Sequence, residues 1–359
     1  MKYLIGVGVC NEYWQNIAQA LYESDALGLY ATGFVDSYRT RWGRWLRRAV
    51  GRLFPWLDRQ FRRRYPPGVP DSLVSNYPFW ESLRTLTAQI WGSCPLEDWV
   101  FLRAEHGLDR TCARLLGKKK FDGFVGIEHG SLASIRAAQR LGKKSLVVFA
   151  SPHHSFRKKW VDEEYRRTPE LITPVMKLVL EALPDRDRRR DEEAHEADKI
   201  LTCSQLITRS LVESGLPVSK IITVPLGAPP PIAPSRILTS LGDRIRFVYS
   251  GPISVRKGAH YLLDAWRRLK VTKGTELHFY GSCLLPTSYL ADLGPQVFLH
   301  GSVARPELDE AYRTSSLLVF PTLCDGFGAV VSEALGQGCP VLTTPQAGAS
   351  TFIESGDPH

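Results

Sequence analysis

Short apolar runs of strand length recur along this chain with helical segments between them, and the alternation happens twice. Tyr3–Val9, Ala31–Val35, Phe124–Ile127, Leu146–Ala150, Lys199–Cys203 and Ile221–Val224 read as strands in the first part. Tyr13–Tyr22, Leu132–Leu141 and Gln205–Ser214 read as helices, and Gly142 and Gly215 close the last two. Strands separated by helices of about 10–15 residues build parallel sheets through crossover connections. Ala228–Pro234 reads A-P-P-P-I-A-P, which neither a helix nor a central strand tolerates. After it the pattern restarts. Arg246–Ser250, Leu277–Gly281, Val297–His300, Leu317–Phe320 and Pro340–Thr343 are predicted strands, and Ala259–Leu269, Pro306–Thr314 and Ala329–Leu335 predicted helices. The expectation is an α/β fold of two Rossmann-like domains, 1–228 and 237–359, joined by a linker at 229–236, with a cleft between them.

Composition removes several classes. At 43% hydrophobic and 23% charged, the 359 residues are not a disordered chain. No run approaches the ~18 apolar residues of a membrane-spanning helix. Tyr3 to Cys10 is apolar, but Asn11 and Glu12 follow at once, so it reads as a first strand rather than a signal peptide. Seven cysteines without a C-x-x-C pair suit reduced thiols in the cytosol better than a disulfide framework or zinc.

The net charge of +9 resides in one place. Arg39–Tyr65 holds ten arginines and a single acid, Asp58, so the rest of the chain balances to zero. This is no general nucleic-acid binder. Trp42, Trp45, Leu46, Ala49 and Leu53 recur at helical spacing with Arg41, Arg44, Arg47, Arg48 and Arg52 on the opposite arc. That pattern reads as an amphipathic helix for an anionic membrane surface, or as a helix packed on its own domain. Asp185–Asp198, of mixed charge, reads as a solvated helix or loop.

Two strand-to-helix loops carry chemistry. After the strand ending at Phe320 comes P-T-L-C-D-G-F-G-A-V-V-S-E-A-L-G-Q-G-C-P-V, with Asp325 in the loop and Glu333 inside the helix that starts near Gly328. Amide groups at a helix start attract anions or polar ligands. The two carboxylates suit different hydroxyls of one extended ligand, or an N-cap and a solvent-facing glutamate. The second loop, Tyr249-Ser-Gly-Pro-Ile-Ser-Val-Arg-Lys-Gly, places Arg256 and Lys257 before an amphipathic helix, where cations suit a diphosphate. In the first half, Gly6 and Gly8 form a G-x-G at the end of the first strand. His153 and His154 follow the strand ending at Ala150, and Glu128-His129-Gly130 ends the strand before it. Ligands of α/β sheets bind beyond such carboxyl ends.

Together these stretches resemble group 1 (family 4-like) retaining glycosyltransferases of the GT-B fold. That family carries E-G-F-G-x-x-x-x-E-A; here Asp325 takes the place of the first glutamate, and Gly326, Phe327, Gly328, Glu333 and Ala334 match. Its V-G-R-x-x-x-x-K-G matches at Lys257 and Gly258, with Pro252 in place of the arginine and Arg256 as a substitute charge. Ile221–Ala228 and His300–Leu308 are similar to further family segments. The resemblance implies a donor site for a nucleotide-diphosphate sugar, with Asp325 toward the transferred hexose, Glu333 toward the ribose, and His153 or His154 toward the sugar. With it go neither cofactor nor catalytic metal, and a glycan or lipid-linked acceptor in surface-polysaccharide synthesis; the reduced thiols and the basic strip add the expectation of a cytoplasmic, peripheral-membrane location. A nucleotide-sugar epimerase of the same architecture and a non-catalytic sugar- or membrane-surface binding module are the alternatives. The family pattern continues past Asp357-Pro-His359 with another strand and helix, so a truncated C-terminal domain is expected.

Overall fold

The computed structural model describes residues 1–8, 12–33, 66, 68–77, 79–81, 83–84, 87, 95–118, 120–231, 245–269 and 274–353. The basic strip Arg39–Tyr65 and positions 232–240 of the proline-rich segment lie outside the described residues. The first sheet comprises β1 (Tyr3–Val7), β2 (Leu27–Thr32), β3 (Val74–Asn76), β4 (Gly123–Ile127), β5 (Lys144–Phe149), β6 (Lys199–Thr202) and β7 (Ile221–Thr223), in the order β3-β2-β1-β4-β5-β6-β7. The second comprises β8 (Ile245–Ser250), β9 (Thr275–Tyr280), β10 (Val297–Gly301), β11 (Leu317–Phe320) and β12 (Val341–Thr343), in the order β10-β9-β8-β11-β12. β1 pairs in parallel with β2 and β4, β4 with β5, and all pairs of the second sheet are parallel. The α/β architecture of two parallel sheets is therefore as the alternation predicts.

Parallel strands covered by helices on both faces read as continuous apolar runs, because both faces are buried. β1 shows the consequence. Leu4 joins Leu29, Cys112, Leu116 and Phe124 beneath the helix Pro95–Lys118, while Ile5 and Val7 join Trp14, Ala18 and Tyr30 beneath the helix Glu12–Glu23. In the second sheet Val248, Tyr249, Leu277, Phe279, Leu318 and Phe320 are buried, and the helix Ala259–Leu269 presses Leu263 and Trp266 inward.

By contacts the chain forms two units: 1–149 with 178–201, and 150–177 with 202–359. The segment 150–177 thus packs with the second sheet, although it lies inside the stretch 1–228 that the sequence reading assigns to the first domain.

Three sequence readings are corrected. The second strand is Leu27–Thr32, not Ala31–Val35, because it pairs in register with β1 from Leu27 onward. Pro95–Lys118 is a helix that the sequence reading does not include. Asp185–Asp198 is not a solvated charge run. It is the end of the helix Pro174–Glu196, on which Asp187, Arg190 and Glu193 are buried.

Candidate functional site

In the second unit the two loops read from the sequence come together. β8 ends at Ser250, and the chain turns through Gly251 to Gly258 before the helix Ala259–Leu269. The buried Tyr249 hydroxyl donates to the Pro252 carbonyl at 2.8 Å, fixing the start of this loop. Its end is tied to the loop after β11: Leu323 N donates to the Arg256 carbonyl at 3.0 Å, and Arg256 Nη1 donates to the Cys324 carbonyl at 3.0 Å. Gly258 sits at φ +68°, and a Cβ there would lie 1.8 Å from the Pro321 carbonyl oxygen, so only glycine lets the loops close.

Closing them sets Lys257 against Asp325. The Lys257 ammonium donates to Asp325 Oδ2, and both side chains are largely buried, at 10% and 17% exposure. The ammonium also lies 5.4 Å from the centre of the Phe320 ring. Burial, with the nearby Arg256 charge, pulls the Lys257 pKa below its ordinary value, and Asp325 opposes the shift. A buried pair of this kind has little surplus stability, because desolvation offsets most of the attraction. Its members are therefore suited to exchange partners with a ligand.

Asp325 is not the helix N-cap. Its Oδ1 accepts from Phe327 N at 3.3 Å, and Gly328, at φ +82°, caps the helix Ala329–Gly336 with no side-chain bond. Gly326 is required by a close approach: a Cβ would lie 1.9 Å from the Ala150 carbonyl oxygen, while Ser204 Oγ donates to the Gly326 carbonyl. Phe327 is buried, its ring centre 6.1 Å from that of Phe352 and tilted 57° to it, so its side chain serves packing. Glu333 faces outward enough to pair with Arg305 Nη1 at 2.7 Å and to accept from the Tyr312 hydroxyl at 3.5 Å.

The contact of Ala150 with Gly326 brings the segment after β5 into the same unit. His153 caps the short helix His154–Arg157, its Nδ1 accepting from Ser155 N at 3.2 Å, and its own N–H donates to Ser210 Oγ at 2.9 Å. The His153 and His154 rings lie 4.0 Å apart and both are half-buried. Gly6 and Gly8 belong to the first unit. A Cβ on Gly6 would lie 2.7 Å from Cys112 Sγ, so this glycine is explained by packing, whereas among the described residues nothing lies within 4 Å of a Cβ on Gly8.

Sequence reasoning missed several partners. Arg305 and Tyr312 hold Glu333, and a buried pair, His260 Nε2 with Glu164 Oε1 at 3.1 Å, fastens the segment after β5 to the helix behind Lys257. His260 carried one usable signal, a polar residue on the apolar side of an amphipathic helix. Glu164 carried none.

Comparison with known proteins bears on the family and the fold. Residues 244–359 match the family described as glycosyl transferases group 1. An uncharacterized glycosyltransferase of Methanocaldococcus jannaschii is 29% identical over 119 residues, a match spanning 31% of this chain and 30% of that protein. Among solved structures, HepE of Anabaena in complex with UDP and glucose superposes with a TM-score of 0.56 at 15% identity, covering 99% of this chain and 84% of that one. Sucrose-phosphate synthase from Thermosynechococcus elongatus gives 0.58 at 16% identity over 98% of this chain and 83% of that one. Such identities speak for the fold alone. By fold this chain is similar to the GT-B structures over nearly its whole length, and its last third matches the group 1 glycosyl transferase family.

Proposed function

We propose that this chain is a retaining glycosyltransferase that moves a hexose from a nucleoside-diphosphate sugar to a glycan or lipid-linked acceptor in surface-polysaccharide synthesis. The observation that carries the reading is the Lys257–Asp325 pair, held between the loop ending at Gly258 and the start of the helix Ala329–Gly336. A donor diphosphate would take over Lys257, with Arg256 and helix-start amides beside it, and free Asp325 for the sugar hydroxyls. Glu333 would leave Arg305 for the ribose. HepE binds UDP and UDP-glucose, which makes UDP the first nucleotide to try.

In the transfer, the bond from sugar C1 to the diphosphate oxygen breaks. The acceptor oxygen bonds C1 on the same face, and its proton passes to the departing diphosphate. Cations already in place stabilise the negative charge that develops there. His153 or His154 faces the sugar in this scheme, Gly326 and Gly328 shape the donor loop, and Gly8, with Gly6 behind it, leaves bare backbone at the end of β1. Residues 1–228 form the acceptor side and 237–359 the donor side, with 229–236 between.

Among the described residues, no helix is long and apolar enough to cross a membrane. The strip Arg39–Tyr65 is assigned to the anionic cytoplasmic membrane surface, where each arginine contributes about 1 kcal/mol. Co-sedimentation with anionic vesicles at low salt checks this, and indifference to such vesicles removes the assignment.

The main test is incubation with a panel of nucleotide sugars and a lipid extract, read by mass spectrometry and by the anomeric proton signals of the product. One added hexose with the donor's anomeric configuration is expected. Epimerised donor formed without acceptor, or donor binding without turnover, overturns the reading.

A further inference from the structure

A cavity lies wholly within the first unit. It has a volume of about 390 Å³ and is lined by Leu102, His106, His129, Leu132, Arg186 and Arg189, with Asp185, Arg188 and Glu192 among its other walls. It opens where β4 ends, the edge of a parallel sheet at which ligands bind.

Its histidines are unusual. His106 Nε2 and His129 Nδ1 are both shielded from solvent, and neither has a hydrogen-bond partner among the described residues. Buried polar atoms nearly always have partners, and two orphans lining one cavity call for an occupant. His129 also adopts φ +73°, a left-handed conformation that costs a non-glycine residue energy. The fold holds it there from both sides. His129 N donates to Glu193 Oε2, and the His129 carbonyl accepts from Arg189 Nε.

The electrostatics select the occupant's chemistry. Glu193 and Asp109, which bond His129 and Arg189 from behind the lining, are saturated: Glu193 accepts from the N–H groups of His129, Ser131 and Leu132, and Asp109 from those of Ala133 and Ser134. The wall carboxylates have their own cations, Asp185 pairing with Arg188 at 2.9 Å and Glu192 with Arg136 at 2.8 Å. Burial and the charges of Arg189, Arg110 and Arg103 push His106 down to about 4, and burial lowers His129 as well. Both rings are thus neutral near pH 7, each with one N–H to donate, and Arg186 lines the same cavity; the acid next to His106, Glu105, is raised to about 7 by burial. A ligand with negative oxygens accepts from both rings and adds a partner for Arg186.

We infer that this cavity binds a phosphoryl group, carried by a free phosphoester or by a lipid headgroup, through His106, His129 and Arg186. The site is separate from the donor site and does not depend on the transfer reaction.

The test follows ring signals of the full chain labelled at histidine, assigned with His106→Gln and His129→Asn. Asparagine keeps the left-handed backbone accessible. Inorganic phosphate, a hexose 6-phosphate and vesicles containing phosphatidic acid are titrated separately. The expected result is that at least one of the three shifts both ring signals and raises both titration midpoints. Arg186→Gln then weakens that binding about tenfold or more, the size of one charge-assisted hydrogen bond. Lys257→Ala leaves the shifts intact, which separates this site from any phosphate bound at the donor loop. Saturation by the soluble phosphates assigns a free phosphoester, and saturation by vesicles alone assigns a lipid. Ring signals unmoved by all three probes, or equal binding by the Arg186→Gln chain, overturn the inference.

Discussion

Each unit buries a cluster of charges, and the two clusters are built differently. In the first, Arg189 bridges Asp109 at 2.7 Å and Glu193 at 3.2 Å, and both carboxylates also collect backbone N–H groups from the start of the helix Leu132–Arg140. Glu193 is fully buried. In the second, Lys257 has Asp325, and Asp325 has one further bond, from Phe327 N. Every acceptor in the first network is occupied by the protein's own backbone, so the network is scaffold. The second pair keeps most of its hydrogen-bonding capacity in reserve, as a ligand site must.

The contrast is broken most severely by removing a carboxylate from the scaffold. Glu193→Ala should cost about 3–5 kcal/mol in urea unfolding, since it strands three backbone donors in the interior and takes from Arg189 one of its two carboxylates. A loss below about 1 kcal/mol would place Glu193 among ordinary surface acids.

The donor pair should respond in its ligand affinity. Asp325→Asn removes the competitor for Lys257, so nucleoside-diphosphate binding should tighten by up to about 1 kcal/mol while sugar transfer falls. Calorimetry and product formation read the two effects, and weakened nucleotide binding would show that Asp325 holds the nucleotide rather than competing with it.

A pH scan sharpens the comparison further. His106 is held at about 4 in the folded chain, so the unfolded chain binds more protons between that value and its ordinary 6.5. Stability should therefore fall as pH drops from about 6.5 to 4. With solvent screening of a half-buried ring the loss is about 1 kcal/mol, and His106→Gln should flatten the slope. An unchanged slope in that variant would assign the acid sensitivity elsewhere. The smallest expected effect is none. Lys257 and Arg256 neutralise the diphosphate in the proposed scheme, so transfer should persist in excess chelator, and loss restored by magnesium or manganese would displace them from that role.

What the sequence makes legible divides along the same line. The loops of the proposed donor site are local: Lys257-Gly258 and Asp325-Gly-Phe-Gly each owe their residue types to contacts visible as short motifs. Gly258 and Gly326 are fixed by close carbonyl approaches, and the motif already names them. The scaffold is assembled from distant positions. Nothing near Glu193 in sequence announces that its oxygens end a helix beginning at Leu132, so 185–198 reads as solvated charge when its partners are out of view. β2 was misplaced for a similar reason. Gly28 looks like a turn, yet it is a strand residue whose missing Cβ makes room for the Phe121 ring, 2.8 Å from where that atom would lie.

The proposed transfer needs Lys257 as the cation that receives the donor diphosphate. UDP titrated calorimetrically into the wild-type chain and into Lys257→Ala tests this directly, with matched unfolding curves to show that the variant is folded. The account predicts that UDP binds the wild type and that the variant loses about 1.5–3 kcal/mol of binding free energy, the range for a hydrogen bond to a charged group. Equal affinity in the two chains would contradict it.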